Sequence, residues 1–371
     1  MKKLFSMALV VLTAALVNSV FAFAKYVDIT TAYTGGDVTD FPVLVKITTT
    51  TPTGFYSDVK NAGADLKFTD ASGAGDYPYE IDTWNASGDS YIWVKLPKLS
   101  AGMTFRMYYG DEDQTQPTNP STAVWTGYDL VCHVSGNAND STANNFIGML
   151  NPDGVARSDG RVGAAYGMTE FSSKGAAIAN KVYNSGGKGG SLANPNFSFS
   201  FWVRQTADTV AWKVFVGDKT ANNTTTWGFD TADTNGKLRY WSGSPTTYVT
   251  IPNKLTGTGW RKIDVTHSSS GSGSDVAIYV DGVLYSNSAL GVPQRNFTDW
   301  VGWGGAASND PFSGDSQPCD FDECRIFASV ASADRVKADY LTASDPGAFL
   351  SFSDPHAEVV VNVLPQGVIV K

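Results

Sequence analysis

The chain has 371 residues, of which 42% are apolar and 17% are charged. Globular domains usually carry about 25% charged residues, so this low charged fraction excludes a disordered chain or a coiled coil. Acidic side chains outnumber basic ones by 36 to 27, which gives a net charge of -9. Because an acidic surface repels phosphate backbones, we expect no DNA or RNA partner. The length is typical of two domains of about 150 residues each.

The first 24 residues have the features of a signal peptide. Lys2 and Lys3 are followed by an almost wholly apolar run from Leu4 to Val17, and Ala22-Phe23-Ala24 has the small-x-small cleavage pattern. The alternative is a membrane anchor, but the apolar run is short against the roughly 20 residues that a bilayer requires. No later segment is long and apolar enough to span a membrane. We therefore predict cleavage after Ala24 and export to the periplasm, the cell surface or the extracellular space.

Three cysteines allow at most one internal disulfide and leave one thiol over. Cys319 and Cys324 are close enough in sequence to pair across a turn. Cys132 pairs with Cys324 instead if their strands are neighbours. The third alternative is that all three are buried thiols that act as small apolar residues.

Residues 25–115 alternate between short β-rich runs and turns rich in Gly, Asp, Ser and Asn, which is typical of an all-β sandwich. The predicted strands of this first block are Phe41–Ile47, Leu66–Thr69, Pro78–Trp84, Ser90–Leu96 and Thr104–Tyr109. The polar stretch that follows contains Gln116-Pro117-Thr118-Asn119-Pro120, which indicates a linker at residues 116–122.

Residues 123–353 form a second block of strands, of a length that is normal for a jelly roll. Asp281-Gly282 is the strongest short hairpin signal in the chain, and only Ser332–Leu341 has a helical pattern, which predicts a short helix. The other predicted strands are Phe197–Arg204, Trp212–Val216, Thr226–Asp230, Leu238–Ser242, Thr247–Ile251, Trp260–Thr266, Val276–Val280 and Val283–Tyr285. Residues 354–371 remain as a β tail, which we expect either to add a strand to its own chain or to pair with another molecule.

Both blocks resemble known modules. Four pieces of the first block resemble, in order, a domain of unknown function that precedes laminin-G-like domains in secreted bacterial proteins: Ala64–Asp70, Tyr77–Asn85, Ile92–Pro97 and Met107–Gly110. The second block resembles the laminin-G-like or concanavalin-A-like jelly roll, in the segments His133–Asn144, Phe197–Val203, Trp260–Thr266, Ile278–Gly282, Phe321–Ile326 and Ala338–Pro346. The resemblance implies an all-β protein with two β-sandwich domains, the second a concanavalin-A-like jelly roll. It also implies extracellular binding or adhesion without implying catalysis, since this fold hosts lectins, adhesion modules and hydrolases alike.

Glu80 and Asp82 share one face of a predicted strand. Laminarinase-type hydrolases of the jelly-roll fold place a second glutamate on the same strand, so that one carboxylate attacks while another donates a proton. Here Trp84 occupies the next position on that face and Asn85 follows it, so the second carboxylate is missing. We therefore predict that the protein is not an enzyme.

A calcium site is the most specific metal prediction. Asn137, Asn139 and Asp140 lie in one turn, and closure of a jelly roll brings the first and last strands together, which places Asp322 near that turn. Asn and Asp oxygens are the ligands that Ca²⁺ requires. The alternative is that Asp140 holds its own turn by hydrogen bonds. The three histidines are His133, His267 and His356; they lack helical metal spacing, so we expect no zinc.

Ten tryptophans raise the question of sugar binding, because aromatic faces stack on pyranose rings. Most are predicted to be core residues. Trp241, Trp300 and Trp303 lie near loops or strand ends and are the candidate ligand-binding residues. The function that we expect is non-catalytic recognition of a glycan or a surface partner by the jelly roll. A glycan hydrolase of the same fold and an envelope or matrix assembly component are the alternatives.

Overall fold

The computed structural model describes residues 23–169, 176–181, 196–206, 212–219, 225–232, 237–242, 248–252, 259–270, 273–290, 300–307 and 318–358, together with residues 255 and 257. Residues 1–22 of the predicted signal peptide and residues 359–371 of the predicted β tail lie outside the described residues. Phe23 and Ala24 are described: the Phe23 ring centroid lies 5.4 Å from that of Tyr108, and the Ala24 carbonyl accepts from the amide of Glu358. Among the described residues, no helix has the length and hydropathy needed to cross a membrane.

The first block is a small sandwich of six strands. Its elements are β1 (Lys25–Thr31), β2 (Val38–Ile47), α1 (Phe55–Asp58), β3 (Lys67–Asp70), β4 (Tyr79–Thr83), β5 (Ser90–Leu99) and β6 (Thr104–Tyr109). One sheet contains the strands β1, β6 and β3 in that order, and the other contains β2, β5 and β4 in that order. The alternation of side chains along β5 explains the packing, because Ile92 and Val94 enter the core between the sheets while Trp93 faces the second block.

The second block is a larger sandwich. Its strands are β7 (Tyr128–Cys132), β8 (Ile147–Leu150), β9 (Val155–Arg157), β10 (Ala165–Gly167), β11 (Ile178–Lys181), β12 (Phe197–Gln205), β13 (Val214–Lys219), β14 (Thr225–Thr231), β15 (Leu238–Ser242), β16 (Tyr248–Ile251), β17 (Arg261–Ser270), β18 (Gly273–Val280), β19 (Val283–Leu290), β20 (Trp300–Trp303), β21 (Ala306–Ala307) and β22 (Cys319–Phe327). The described strands form two eight-stranded sheets, with the orders β19-β18-β17-β12-β22-β10-β9 and β16-β15-β14-β13-β20-β11-β8. In addition, β7 pairs with β22 and β21 pairs with β13. The all-β class and the two sandwiches are confirmed.

The C-terminal segment connects the two blocks. It contains α2 (Ala333–Ser344), α3 (Pro346–Phe349), β23 (Leu350–Phe352) and β24 (His356–Ala357). β23 and β24 both pair antiparallel with β1, so the chain returns to the first sheet after it completes the jelly roll. The sequence assigns residues up to 353 to the second block, whereas the structure adds β23 to the first. The helix predicted at Ser332–Leu341 is found, and it is longer than predicted.

A shared apolar cluster fills the junction of the blocks. Leu44 and Trp93 of the first block pack there with Trp125 and Trp202 of the second block. Above this cluster, α2 contributes Ala338 to the core of the first block and Val336 to a patch on the second. The linker predicted at residues 116–122 therefore joins two blocks that are in direct contact.

Candidate functional site

The candidate site lies on the outer face of the sheet formed by β14, β15 and β16. In these strands one set of alternating residues, including Phe229, Tyr240 and Val249, enters the core. The other set faces outward, and the register aligns it in two rows across the three strands. The first row is Asp230, Arg239 and Thr250, and the second is Gly228, Trp241 and Tyr248.

An ion pair fixes the centre of this face. The Arg239 guanidinium donates to both oxygens of Asp230, at 2.7 Å from Nε and 2.8 Å from its second nitrogen. The Trp241 indole donates to the same carboxylate at 3.1 Å. Burial raises the pKa of Asp230, and the hydrogen bonds and charge of Arg239 and the hydrogen bond of Trp241 oppose that rise. A bidentate pair that is buried on both sides holds the guanidinium in one orientation.

Two exposed aromatic rings flank that guanidinium. Its central carbon lies 4.7 Å from the ring centroid of Trp212 and 5.4 Å from that of Tyr248. Trp212 is 58% exposed and Tyr248 is 49% exposed, although both are large apolar side chains. We name Trp212, Tyr248, Arg239, Asp230 and Trp241 the aromatic face.

The backbone at Trp212 is in an unusual conformation. Its φ is +65°, in the left-handed region that bulky residues rarely adopt. The Trp212 amide donates to the carbonyl of Thr231 at 2.9 Å, which attaches the residue to β14. A strained backbone that presents an exposed ring is a feature of sites where a side chain is held for contact with a ligand.

The three predicted tryptophans have different positions in the structure. Trp241 belongs to the aromatic face, although it is 4% exposed and acts there mainly through its hydrogen bond to Asp230. Trp303 is fully buried in the core, so its prediction as a ligand-binding residue is wrong. The glycines around it favoured a loop, but β20 is an interior strand paired with β11 and β13. The backbone of Trp300 lies in β20, and its side chain lies outside the described residues.

The sequence did not identify Trp212 and Tyr248 as candidates. Trp212 stood at the start of a predicted strand, where burial is the ordinary expectation, and Tyr248 lay inside another. The signal that could have found Tyr248 is its alternation with Val249, which assigns it to the outward face of β16. The exposure of Trp212 follows from its backbone conformation, which has no signature in the sequence.

The residues predicted to bind calcium are not grouped as a metal site. Asp140 accepts four hydrogen bonds from its own turn, from the amides of Val131, Thr142 and Phe146 and from the Thr142 hydroxyl. Because a carboxylate has about four acceptor positions, Asp140 has none left for a cation. This geometry agrees with the alternative to a calcium site, in which Asp140 holds its own turn by hydrogen bonds. In the parts of the chain that the structure describes, no three His, Cys, Asp or Glu side chains are grouped for a metal ion.

The other predicted calcium ligands have hydrogen-bond partners of their own. Asn137 and Asn139 are exposed, and the Asn137 side chain accepts a hydrogen bond from the Asn139 amide at 2.8 Å. Asp322 is fully buried and accepts from the amide of Val162 at 2.8 Å. Regular alternation along β22 would put Glu323 on the face opposite Asp322. The φ of Glu323 is +50°, however, and the β12–β22 register shifts nearby, so Cys324 and Ile326 return to the core.

His133 joins the two blocks through a pair of carboxylates. Its Nδ1 lies 2.9 Å from a Glu323 oxygen, and its Nε2 lies 3.2 Å from Glu80 of the first block. Burial opposes protonation of His133, but the charges of Glu323 and Glu80 outweigh it and raise the pKa of the imidazole well above its usual value. Glu80 also accepts hydrogen bonds from the Trp125 indole and the Ser141 hydroxyl. His133 is therefore an imidazolium held between two carboxylates.

The cysteines are buried free thiols in the structure. Cys319 and Cys324 lie on the same strand, β22, five residues apart. An extended strand rises about 3.3 Å per residue, which separates these two residues by far more than the 7 Å limit between the Cα atoms of a disulfide, so that pairing is excluded. Cys132 and Cys324 stand directly opposite each other on β7 and β22. Of the two predicted pairings, only Cys132–Cys324 is compatible with the register.

The comparisons with known proteins agree with the order of the two blocks. Residues 180–337 match the concanavalin A-like lectin/glucanases superfamily, and residues 62–141 match a domain of unknown function, DUF2341. No curated protein matches the chain.

The solved structures that match part of the chain include receptor-binding domains of botulinum neurotoxins. The serotype D ligand-binding domain in complex with N-acetylneuraminic acid is 14% identical, with a TM-score of 0.43 over 58% of this chain and 50% of that one. The type G receptor-binding domain is also 14% identical, with a TM-score of 0.37 over 58% of this chain and 51% of that one. The chain thus spans about half the length of these structures. The two family matches follow each other along the chain in the order that the sequence predicts.

Proposed function

We propose that the protein is a non-catalytic binding protein that recognises glycan through the aromatic face of its concanavalin-A-like domain. The observation that carries the proposal is the exposure of Trp212 and Tyr248, whose rings both contact the Arg239 guanidinium. Exposed apolar groups that lie together mark interaction sites, whereas single ones are ordinary.

The chemistry of the face suits a sugar. The faces of aromatic rings are electron-rich, and they attract the weakly positive C–H groups on one side of a pyranose. The ion pair between Arg239 and Asp230 lies between the rings and contributes fixed polar groups near the position that sugar hydroxyls would occupy. Because the charges of this pair compensate each other, the face favours no strongly charged ligand.

The proposal is tested by removing each ring. Trp212→Ala and Tyr248→Ala should each weaken binding at least ten-fold, about 1.4 kcal/mol, for any glycan that binds the wild-type chain on a glycan array. Isothermal titration calorimetry with that glycan measures the change. Tyr285→Ala is the matched control, because Tyr285 is 44% exposed on β19 of the other sheet, and it should bind as the wild-type chain does.

Two results would contradict the proposal. One is an array on which the wild-type chain binds no glycan. The other is a glycan whose affinity is equal in the wild-type chain and in the Trp212→Ala and Tyr248→Ala variants. Release of reducing ends from the bound glycan would overturn the non-catalytic part, since that product requires hydrolysis.

We also propose that the protein acts after export. The first strand of the structure, β1, begins at Lys25, directly after the predicted cleavage position. Expression of the full chain in a bacterial host should yield an exported form whose N-terminal residue is Lys25. An intact N-terminus on the exported chain would contradict cleavage at this position.

A further inference from the structure

Two neighbouring cavities lie beside the junction of the blocks. The smaller has a volume of about 230 Å³ and is lined mainly by polar side chains, among them Glu80, Asp82, His133, Ser135, Asn137 and Ser141. The larger has a volume of about 740 Å³, and its lining includes Asp82, Trp84, Asn85, Tyr91, Ser135 and Ser158. Both cavities contain Asp82 and Ser135 in their lining, so they form one continuous groove along the junction.

The local structure directs Asp82 into this groove. The pairing of β4 with β5 shifts register between Ile81 and Thr83, which leaves Asp82 as the extra residue of a bulge. A bulge turns one side chain away from the alternation of its strand. Ile81 still packs against the core of the first block, while Asp82 reaches both cavities.

The shared residues have unused hydrogen-bonding capacity. The hydroxyl of Ser135 is buried and forms no hydrogen bond of good geometry. The Asp82 carboxylate accepts one long hydrogen bond, from the hydroxyl of Thr83 at 3.4 Å. Burial raises the pKa of Asp82 to about 6, and the charge of His133 and the nearby Ser135 hydroxyl oppose that rise. A buried polar atom without a partner is uncommon in native structures and is often explained by a bound molecule.

The rest of the groove wall is already satisfied. Glu80 accepts from His133, Trp125 and Ser141, so it forms a rigid wall and offers little to a ligand. Glu80 and Glu323 share the positive charge of His133, and Asp82 adds a further carboxylate, so the groove disfavours anionic ligands. Trp84 and Tyr91 add partly buried aromatic rings to the larger cavity.

We propose that this groove is a second binding site, for a neutral saccharide of one to three units. Asp82 and Ser135 hydrogen-bond its hydroxyls in the narrow part, and Trp84 and Tyr91 contact its apolar faces in the wide part. A volume of about 740 Å³ lies within the range of ligand sites, which form most often where domains meet. A bound cation is the less suitable occupant, because no metal-ligand group exists among the described residues.

The narrow part of the groove lies within the segment that matches DUF2341. All the residues that line the smaller cavity lie between positions 80 and 141, inside the 62–141 match to DUF2341. That segment includes the turn after β7 as well as β4, and the two form opposite walls of the groove. The site is separate from the aromatic face and does not depend on it.

The experiment uses the full chain carrying Trp212→Ala and Tyr248→Ala, so that the aromatic face contributes no saccharide binding. This chain is titrated by calorimetry with neutral mono-, di- and trisaccharides of glucose, galactose, mannose and N-acetylglucosamine. We expect at least one of them to bind, and Asp82→Asn or Ser135→Ala to weaken it at least ten-fold. Asp37→Asn, which changes an exposed carboxylate of the same block, should leave the binding unchanged.

Ser135→Ala separates binding from folding. Because the variant removes a buried hydroxyl that forms no hydrogen bond of good geometry, its melting temperature should equal or exceed that of its parent. Three outcomes would overturn the proposal: no saccharide of the panel binds, binding is unaffected by both Asp82→Asn and Ser135→Ala, or Ca²⁺ alone binds and Asp82→Asn removes that binding. None of these outcomes bears on the aromatic face, whose test uses the chain with that face intact.

Discussion

At the scale of single residues, the position of His133 sets the electrostatics of the junction. The imidazole is 7% exposed and contacts Glu323 on one side and Glu80 on the other. Glu323 in turn accepts from Arg325, whose guanidinium lies 4.2 Å from the ring centroid of Trp93. Removal of one member of such a buried network leaves its partners as uncompensated charges.

We predict that His133→Ala lowers the free energy of unfolding by about 3–5 kcal/mol near pH 6. The pKa of His133 is raised in the folded state, so its stabilising charge is fully present below its unfolded pKa of about 6.5 and is lost as pH rises through the folded pKa. The difference between the wild-type chain and the variant should therefore shrink towards alkaline pH. Urea unfolding followed by tryptophan fluorescence at pH 6 and at pH 9.5 measures it.

His356→Ala is the control for this pH dependence. His356 is exposed and stacks on Tyr26, with ring centroids 5.0 Å apart, so its loss should have a small effect. A loss of stability in His133→Ala that is equal at both pH values would show that the residue acts by packing and not by its charge.

Sequence reasoning reached part of this chemistry. It predicted calcium at Asp140 and gave the turn held by Asp140 only as the alternative, and the hydrogen bonds of Asp140 follow that alternative. The partners of His133 are 53 and 190 residues away, and no pattern in a single sequence links such positions. The side of the sheet that Glu323 occupies is equally out of reach of a regular pattern, because its own positive φ interrupts the alternation of β22.

At the scale of elements, the short strand β23 completes the sheet of the first block from the far end of the second block. It pairs with β1 through Leu350, Ser351 and Phe352, and the amide of Ala32 donates to the carbonyl of Phe349 at 2.8 Å. Phe349 and Leu350 are 4% and 2% exposed, and both lie in the core of the first block. The first sandwich thus depends on residues that lie more than 200 positions after its last strand.

We predict that Phe349→Ala and Leu350→Ala each destabilise the first block by about 2–5 kcal/mol, because each leaves a cavity in a well-packed core. Hydrogen exchange should then accelerate in β1, which pairs with β23, and in β6, which pairs with β1. Val330→Ala, at a side chain that is 42% exposed, should change stability by less than about 0.5 kcal/mol. Unchanged exchange in β1 would show that β23 is dispensable for this sheet.

The strands themselves were well predicted, whereas their arrangement was not. β6 and β15 occupy the predicted ranges, and the Asp281-Gly282 turn joins β18 to β19. These features arise from local alternation and turn chemistry. The addition of β23 and β24 to the first sheet depends on a contact between the two ends of the chain, and local patterns do not specify which sheet edge a strand joins. Of the two alternatives predicted for the tail, His356–Ala357 follows the first, since it pairs with β1 of the same chain.

At the scale of the whole molecule, the two blocks are held together at three places. Trp93 and Leu44 pack on the second block, His133 bridges to Glu80, and α2 contacts both blocks. Arg335 of α2 also donates to the carbonyls of Thr39 and Asp40 in β2. Two sandwiches joined only by a linker would separate when the linker is cut. Because these contacts do not involve the linker, they should hold the two blocks together after the cut.

We predict that cleavage of the linker does not release two independent pieces. A specific protease site inserted after Pro117, in an exposed stretch of the linker, should allow complete cleavage of the chain. The N-terminal fragment then lacks β23, which belongs to the C-terminal fragment but completes the sheet around β1. The two fragments should therefore co-elute from a size-exclusion column in native buffer and separate only in denaturant. The same cleavage in the Leu350→Ala chain should weaken the association, because it loosens the strand that the fragments share. Separate elution of two folded fragments from the cleaved wild-type chain would show that the shared cluster and β23 do not bind the blocks to each other, and that the groove between them is open to rearrangement.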